Sequence, residues 1–380
     1  MTNASAKTAP SPNPSVKITS VEPFLMRGAR GYQAWCMVRV QTDLGIEGIG
    51  EGFSWGYGNL TFPRRVHEYM QVLGGRLAGK SPWQIQAFVH DAQANPAEHA
   101  REWHSAVSGI EIALWDIAGK LANLPVYQML GGKVREAIPL YANHGIFFDA
   151  DASYNFNIDR IVHARQAGYR MFKWDPGMDF DQVREARQVI GRDYRLAIDQ
   201  HGRNDFDGAV AAAKALQPLD VVFLEDPVPC ARLDLYRQLV EITSIPLATG
   251  ENFTTRREVH DFLASGAIRF LQPEIGANGG IMETVKVAAM AETSGVGLYP
   301  HNWCGPVVTR ALAHAACVVP NLVMVEYAAC SPAPDVQWEH ELIDPPNRVI
   351  DGFMAVPEGP GLGFTLNEAL VAGRLLEDGS

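Results

Sequence analysis

The chain is 380 residues long, 47% hydrophobic and 20% charged. These are the proportions of an ordinary globular protein, with room for one domain of roughly 200 to 250 residues and a smaller second one. A net charge of −11 leaves no basic face for nucleic acid, and no run approaches the roughly 18 apolar residues of a membrane span, so neither is expected as a partner.

The N-terminal MTNASAKTAPSPNPS lacks the apolar centre of a secretory signal. Residues 1–15 are read as a disordered lead-in and the protein as cytoplasmic. The five cysteines, Cys36, Cys230, Cys304, Cys317 and Cys330, are odd in number and show no CxxC spacing, which argues for reduced thiols over disulfides or zinc. VKITSVEPFLMR, AWCMVRVQTD and IEGIGEGF read as strands. The second alternates as a half-exposed antiparallel strand does, and Gly45, Gly48, Gly50 and Gly52 mark turns. SWGYGNLTF reads as a loop whose Trp55 and Tyr57 either close over a ligand or pack on a neighbouring domain. Helical spacing then runs from Pro63 to Leu130 and stops at Gly131-Gly132. A sheet followed by helices makes an α+β cap.

Beyond it lies a ladder. The runs RMFKWD, RLAIDQ, VVFLED, PLATGE, RFLQPE, GLYPHN and LVMVEY close on Lys173, Asp199, Glu225, Glu251, Glu274, His301 and Glu326, at intervals of 26, 26, 26, 23, 27 and 25 residues. Each run has the length of a buried strand, and the residues between hold one helix and two short loops, so each rung is a βα unit. IPLYANHGIF, ending near His144, supplies an eighth strand. Consecutive right-handed βα units close most economically into a (β/α)8-type barrel, whose strand ends share one mouth. Five carboxylates, a lysine and a histidine then meet in one cup. Unpaired, those charges repel, which calls for a hard divalent cation among them. The closing FMAVPEGPGLGFTLNEALV reads as a strand, a glycine turn and a short helix returning to the cap. The expected domains are a cap from residues 16–134 and 346–380 and a barrel from 135–345.

IEIALWDIAGKLANLPVYQMLGG, the spaced Asp199, Glu225 and Glu251, QPEIGANGGI and EGPGLGF together resemble the enolase superfamily, mandelate racemase subgroup, over nearly the whole chain from about Val16. The resemblance implies an α/β protein with a (β/α)7β TIM-like barrel under an α+β capping domain, and a homo-oligomer. It also implies one Mg2+ held by Asp199, Glu225 and Glu251, and chemistry begun by removing the proton α to a carboxylate. Oxygen-only ligands suit that ion. By the same resemblance His301 is the base, Lys173 neutralises developing charge, and Glu326 meets the substrate carboxylate through a shared proton or a polar intermediary. Glu274 falls where the family has an aspartate that orients the base; with its extra methylene, that role stays open.

Racemases of this family resemble K-x-K on the second strand, but this chain reads Lys173-Trp174-Asp175. The Asp-x-His-Gly-Arg of Asp199 to Arg203 resembles the galactonate dehydratase type instead, which implies that His201 protonates a departing β-hydroxyl. His201 lies two residues beyond Asp199, on the same side of its strand. The expected activity is a Mg2+-dependent acid-sugar (aldonate) dehydratase giving a 2-keto-3-deoxy sugar acid, with a small-molecule sugar acid as partner. Asp175 binds a sugar hydroxyl or pairs with Lys173 or Arg203, and Arg203, Trp55 and Tyr57 are the further candidate substrate contacts. Two other readings stand beside this one: a racemase or epimerase working through the same enediolate, and a non-catalytic sugar-acid-binding member.

Overall fold

The computed structural model describes residues 15–28, 34–54, 59–94, 100–143, 158–177, 179–328 and 334–376. Trp55, Tyr57, His144 and Cys330 lie outside them.

Three antiparallel strands open the chain in the order β1 (Ile18–Arg27), β2 (Ala34–Thr42) and β3 (Glu47–Gly52), followed by helices α1 (Thr61–Leu77), α2 (Ile85–Gln93), α3 (Arg101–Ala122) and α4 (Val126–Met129). Sequence alternation suggests a half-exposed β2, yet its residues from Ala34 to Val38 are all buried. Helices α1 and α3 cover the sheet, while Trp35 packs on Trp338 at 5.6 Å between ring centroids. The glycines read as turn markers divide in role. Gly45 does make the turn, at φ +71°, whereas Gly48, Gly50 and Gly52 lie within β3. A Cβ at those three positions would collide with the backbone oxygens of Ala113, Gly109 and Ser105. Glycine at every second residue therefore clears one face of the strand for α3.

The barrel follows as β4 (Ala137–Asn143), α5 (Ile158–Gln166), β5 (Met171–Trp174), α6 (Phe180–Ile190), β6 (Arg195–Asp199), α7 (Phe206–Leu216), β7 (Val221–Glu225), α8 (Leu233–Leu239), β8 (Leu247–Thr249), α9 (Arg256–Ser265), β9 (Phe270–Leu271), α10 (Ile281–Thr293), β10 (Gly297–Leu298), α11 (Pro306–Ala316) and β11 (Val325–Tyr327). Neighbouring strands pair in parallel from β4 to β10, and β11 pairs in parallel with β4, closing the ring. Tyr141, Met171, Ala197, Phe223, Ala248, Tyr299 and Met324 fill its interior as one buried cluster. Six of these seven precede by two residues Asn143, Lys173, Asp199, Glu225, His301 and Glu326. Strand side chains alternate with period two, so the residues that plug the barrel aim the polar ones into the mouth above. The plug also keeps water from the floor of the site.

After β11, the strands β12 (Ile343–Asp344), β13 (Val349–Ile350), β14 (Phe353–Ala355) and β15 (Thr365–Leu366) lead to α12 (Glu368–Ala372). β14 pairs antiparallel with the start of β4, and β12 with β15. The chain then runs back along β1, with Arg27 N–H to Arg374 O at 2.8 Å and Leu376 N–H to Leu25 O at 2.9 Å.

Two fully buried carboxylates tie cap to barrel. Glu111 of α3 accepts the N–H groups of Ile281 and Met282 at 2.8 and 3.0 Å, and Glu51 of β3 accepts those of Gly305 and Val308 at 2.5 and 3.0 Å. Helices α10 and α11 begin without side-chain caps of their own, so the cap supplies the acceptors their free N–H groups need.

Candidate functional site

The barrel mouth gathers the ladder residues. Asp199 and Glu225 face each other across the β6–β7 pair, while Glu251, Glu274 and His301 lie just beyond the short strands β8, β9 and β10. Lys173 Nζ sits among three carboxylates, 2.9 Å from Glu225 Oε2, 3.1 Å from Glu326 Oε1 and 3.3 Å from Asp199 Oδ2. Burial alone would lower its pKa, but these carboxylates hold it well above the usual lysine range. Burial pushes Glu225 well up, and Asp199 beside it adds to the shift.

His301 Nδ1 is 2.8 Å from Glu274 Oε2, and its Nε2 is 3.3 Å from Glu251 Oε2. Glu274 thus makes the contact expected of the shorter aspartate, with its other oxygen fixed by the Gly276 N–H at 2.8 Å. His201 faces the same centre from the opposite wall: its Nδ1 is 3.3 Å from Asp199 Oδ1 and its Nε2 is 3.2 Å from Asp175 Oδ2. Burial opposes a charged imidazole, but Asp199, Asp175 and Glu251 outweigh it and raise His201 to about 10. His301 is raised likewise, chiefly by Glu251 acting against burial. Burial would raise Glu251, yet His301, His201 and Lys173 hold it down to about 2. Both imidazoles are therefore shifted toward the charged form, in part by Asp199 and Glu251, carboxylates that a cation would engage.

Asp199, His201 and Glu251 each offer a ligand atom, all within 4.8 Å of one another, so this group could hold a metal ion. Glu225, the third ligand expected from sequence, instead faces Lys173 and accepts from Gln272 Nε2 at 2.6 Å. Oxygen-rich donors with one imidazole at the edge suit a hard divalent cation. The surplus of buried carboxylate over the single lysine gives such an ion its electrostatic reason.

Asp175 pairs with Arg203 at 2.8 Å and with His201, not with Lys173. Its side chain is 1% exposed, against 52% for Arg203. Glu326 is surrounded by donors: Asn143 Nδ2 at 2.6 Å, Trp303 Nε1 at 3.3 Å and the Asn302 N–H at 3.3 Å, besides Lys173. Burial would raise its pKa, but Lys173 and His301 lower it on balance. Cys304 Sγ lies 3.6 Å from Glu274 Oε1, and burial together with that carboxylate pushes the thiol well up, away from the thiolate a nucleophile needs.

The ladder overlooks four residues that touch the site. Gln272 stands two residues before Glu274 of the ladder, so the period of two could have found it, and Asn143 stands next to His144, where the end of the IPLYANHGIF run is read. Asn252 donates to Glu251 Oε1 at 3.0 Å. Arg101, at the start of α3, donates to Glu251 O at 3.0 Å and lies 4.1 Å from the Phe53 ring centroid; no strand-end pattern marks it, because it arrives from the cap.

Residues 15–131 match the family model described as "Mandelate racemase / muconate lactonizing enzyme, N-terminal domain", and residues 158–370 the one described as "Enolase C-terminal domain-like". The chain is 30% identical to a D-xylonate dehydratase from Haloferax volcanii, covering 99% of this chain and 94% of the relative. It is 32% identical to a D-galactonate dehydratase from Xanthomonas euvesicatoria pv. vesicatoria, covering 89% and 90%. Among solved structures, a mandelate racemase/muconate lactonizing enzyme from a Jannaschia species superposes with a TM-score of 0.83 at 31% identity, over 96% of this chain and 99% of that one. With a cap, a closed barrel and strand-end carboxylates in place, and with models matching most of its length, the chain belongs to the mandelate racemase / muconate lactonizing enzyme family of the enolase superfamily.

Proposed function

We propose that the protein is a Mg2+-dependent dehydratase of an aldonate. Two histidines on opposite walls of one carboxylate centre carry the reading, His301 with Nε2 toward Glu251 and His201 with Nδ1 toward Asp199, each 3.3 Å away. A carbon-bound α-proton is a very weak acid, so the site must stabilise the charge left when it departs. Asp199, Glu225 and Glu251 would hold the cation, which when bound supplies positive charge beside the substrate carboxylate. With Glu251 so engaged, His301 keeps Glu274 on Nδ1, and its Nε2, with Glu326 Oε2 at 3.9 Å, is left to take the C2 proton. Lys173 adds a second positive charge beside the carboxylate. His201 delivers a proton to the C3 hydroxyl, which leaves as water. The resulting enol takes up a proton at C3, gives up the proton of its C2 hydroxyl and becomes the 2-keto-3-deoxy acid, so the net change is loss of one water. The dehydratase names of the relatives support the reaction class, and Asp175 standing where racemases carry a second lysine argues against two-base racemisation.

The test is to incubate the purified protein with Mg2+ and a panel of pentonates and hexonates and to trap keto acids with semicarbazide. The expected result is one stereochemical series turned over. No keto acid from any member, or inversion at C2 with uptake of solvent deuterium and no water loss, abandons the reading.

A further inference from the structure

The position that lacks the family's second lysine has a defined set of contacts. Asp175 follows β5 by one residue and is 4% exposed. Its Oδ1 accepts the Gly177 N–H at 2.8 Å, while Oδ2 lies 2.8 Å from Arg203 Nη1 and 3.2 Å from His201 Nε2. Oδ1 is hydrogen-bonded, while Oδ2 is paired by charge with Arg203 and His201 without a hydrogen bond of good geometry to either, and the residue is almost unexposed. His201 itself is fixed at the backbone. It lies in the left-handed region at φ +49°, rare for a residue with a Cβ and frequent at functional sites, and its N–H donates to Asp199 Oδ1 at 2.8 Å.

Its two ring nitrogens therefore have unequal partners. Asp199 belongs to the group that could hold the cation, so the contact on Nδ1 is the one the working site would replace. Asp175 stands outside that group and already carries Arg203 as its counter-charge, so the contact on Nε2 does not depend on the cation. His301 shows the same design with the nitrogens exchanged: Nδ1 is held by Glu274 at 2.8 Å and Nε2 faces Glu251 at 3.3 Å. An imidazole that moves a proton needs its other nitrogen fixed by an acceptor, which sets both tautomer and ring direction.

Building on the dehydratase reading, we infer that Asp175 is the positioning residue of the acid, holding His201 by Nε2 so that Nδ1 carries the proton to the departing hydroxyl. Arg203 in turn keeps Asp175 in place. The second strand thus gives up the second base of a racemase and provides the orienting carboxylate of an acid.

The experiment compares the full-length wild type with Asp175→Asn in Mg2+, on the aldonate found by the screen and on its 3-deoxy-3-fluoro analogue. Fluoride leaves as an anion without needing a proton, so an acid is required for the first substrate and dispensable for the second. Asp175→Asn should lower kcat on the aldonate by about 100-fold, the scale of general acid catalysis, with KM little changed. It should eliminate fluoride at close to the wild-type rate and still exchange the C2 proton with solvent deuterium, while Asp175→Glu recovers part of the loss. Retained fluoride elimination also shows that the variant is folded. Equal losses on both substrates, a raised KM at unchanged kcat, or no loss on the aldonate overturns the assignment. A wild type that gives no keto acid overturns the dehydratase reading instead.

Discussion

Glu274 departs most visibly from its family, because an orienting partner one methylene longer must still meet a ring set by β10. It does so by anchoring one oxygen on the Gly276 N–H and presenting the other to His301 Nδ1, both at 2.8 Å. That anchoring turns the extra length into a fixed reach. Glu274→Asp is therefore expected to act as a loss and not as a restoration of the family residue. It should lower kcat by about 10- to 100-fold and slow C2 deuterium exchange by the same factor, since the base is the group disturbed. Steady-state kinetics with exchange followed by proton NMR checks this; unchanged exchange would remove Glu274 from any role beside His301. Sequence marks Glu274, His301, Lys173 and Asp199 because each ends an apolar run. It leaves Arg101 unmarked because a cap residue carries no strand period, and it leaves open which neighbour Asp175 takes, since Lys173 on the same strand and Arg203 beyond the next one both fall at the barrel mouth.

At the scale of elements, the βα repeat was legible in the spacing of polar residues, whereas the β3–α3 contact was not. A glycine that clears space for a helix and a glycine that makes a turn look alike in sequence, and only the alternation of Gly48, Gly50 and Gly52 hints at the first. The docking of α11 was equally hidden. His314 on that helix is fully buried, its Nδ1 accepts the Tyr127 N–H of α4 at 3.3 Å, and its Nε2 faces Leu362 O at 3.3 Å. A ring that accepts at one nitrogen and donates at the other is neutral, and burial lowers its pKa from 6.5 to about 4. With the folded pKa below the unfolded one, the unfolded chain binds the extra proton. The stability this group contributes is thus complete above about pH 6.5 and is lost as pH falls toward 4. The loss amounts to roughly 3 kcal/mol once the pH has fallen to about 4, at about 1.4 kcal/mol per pKa unit. Urea unfolding across that window should show the wild type losing stability more steeply than His314→Gln; equal slopes would mean that folding does not lower the ring's pKa.

For the molecule as a whole, a cap that places its own glutamates on the first turns of two barrel helices, and a barrel whose interior plug floors its mouth, both hold the strand ends at fixed separations. The strand-end carboxylates can then be kept close despite their mutual repulsion. Removing the counter-ion should be felt by the entire fold, because an ion bound only by the native state adds about 2.7 kcal/mol of stability at 100 times its dissociation constant. The most direct measurement is a calorimetric titration of the cation-stripped protein with Mg2+, repeated on Asp199→Asn, Glu225→Gln and Glu251→Gln. One ion per chain is predicted, with affinity lowered at least 10-fold in the Asp199 and Glu251 variants, and the Glu225 variant reporting whether that carboxylate leaves Lys173 to join the ion. No saturable binding, or Asp199→Asn and Glu251→Gln proteins that bind Mg2+ as the wild type does, would contradict the account.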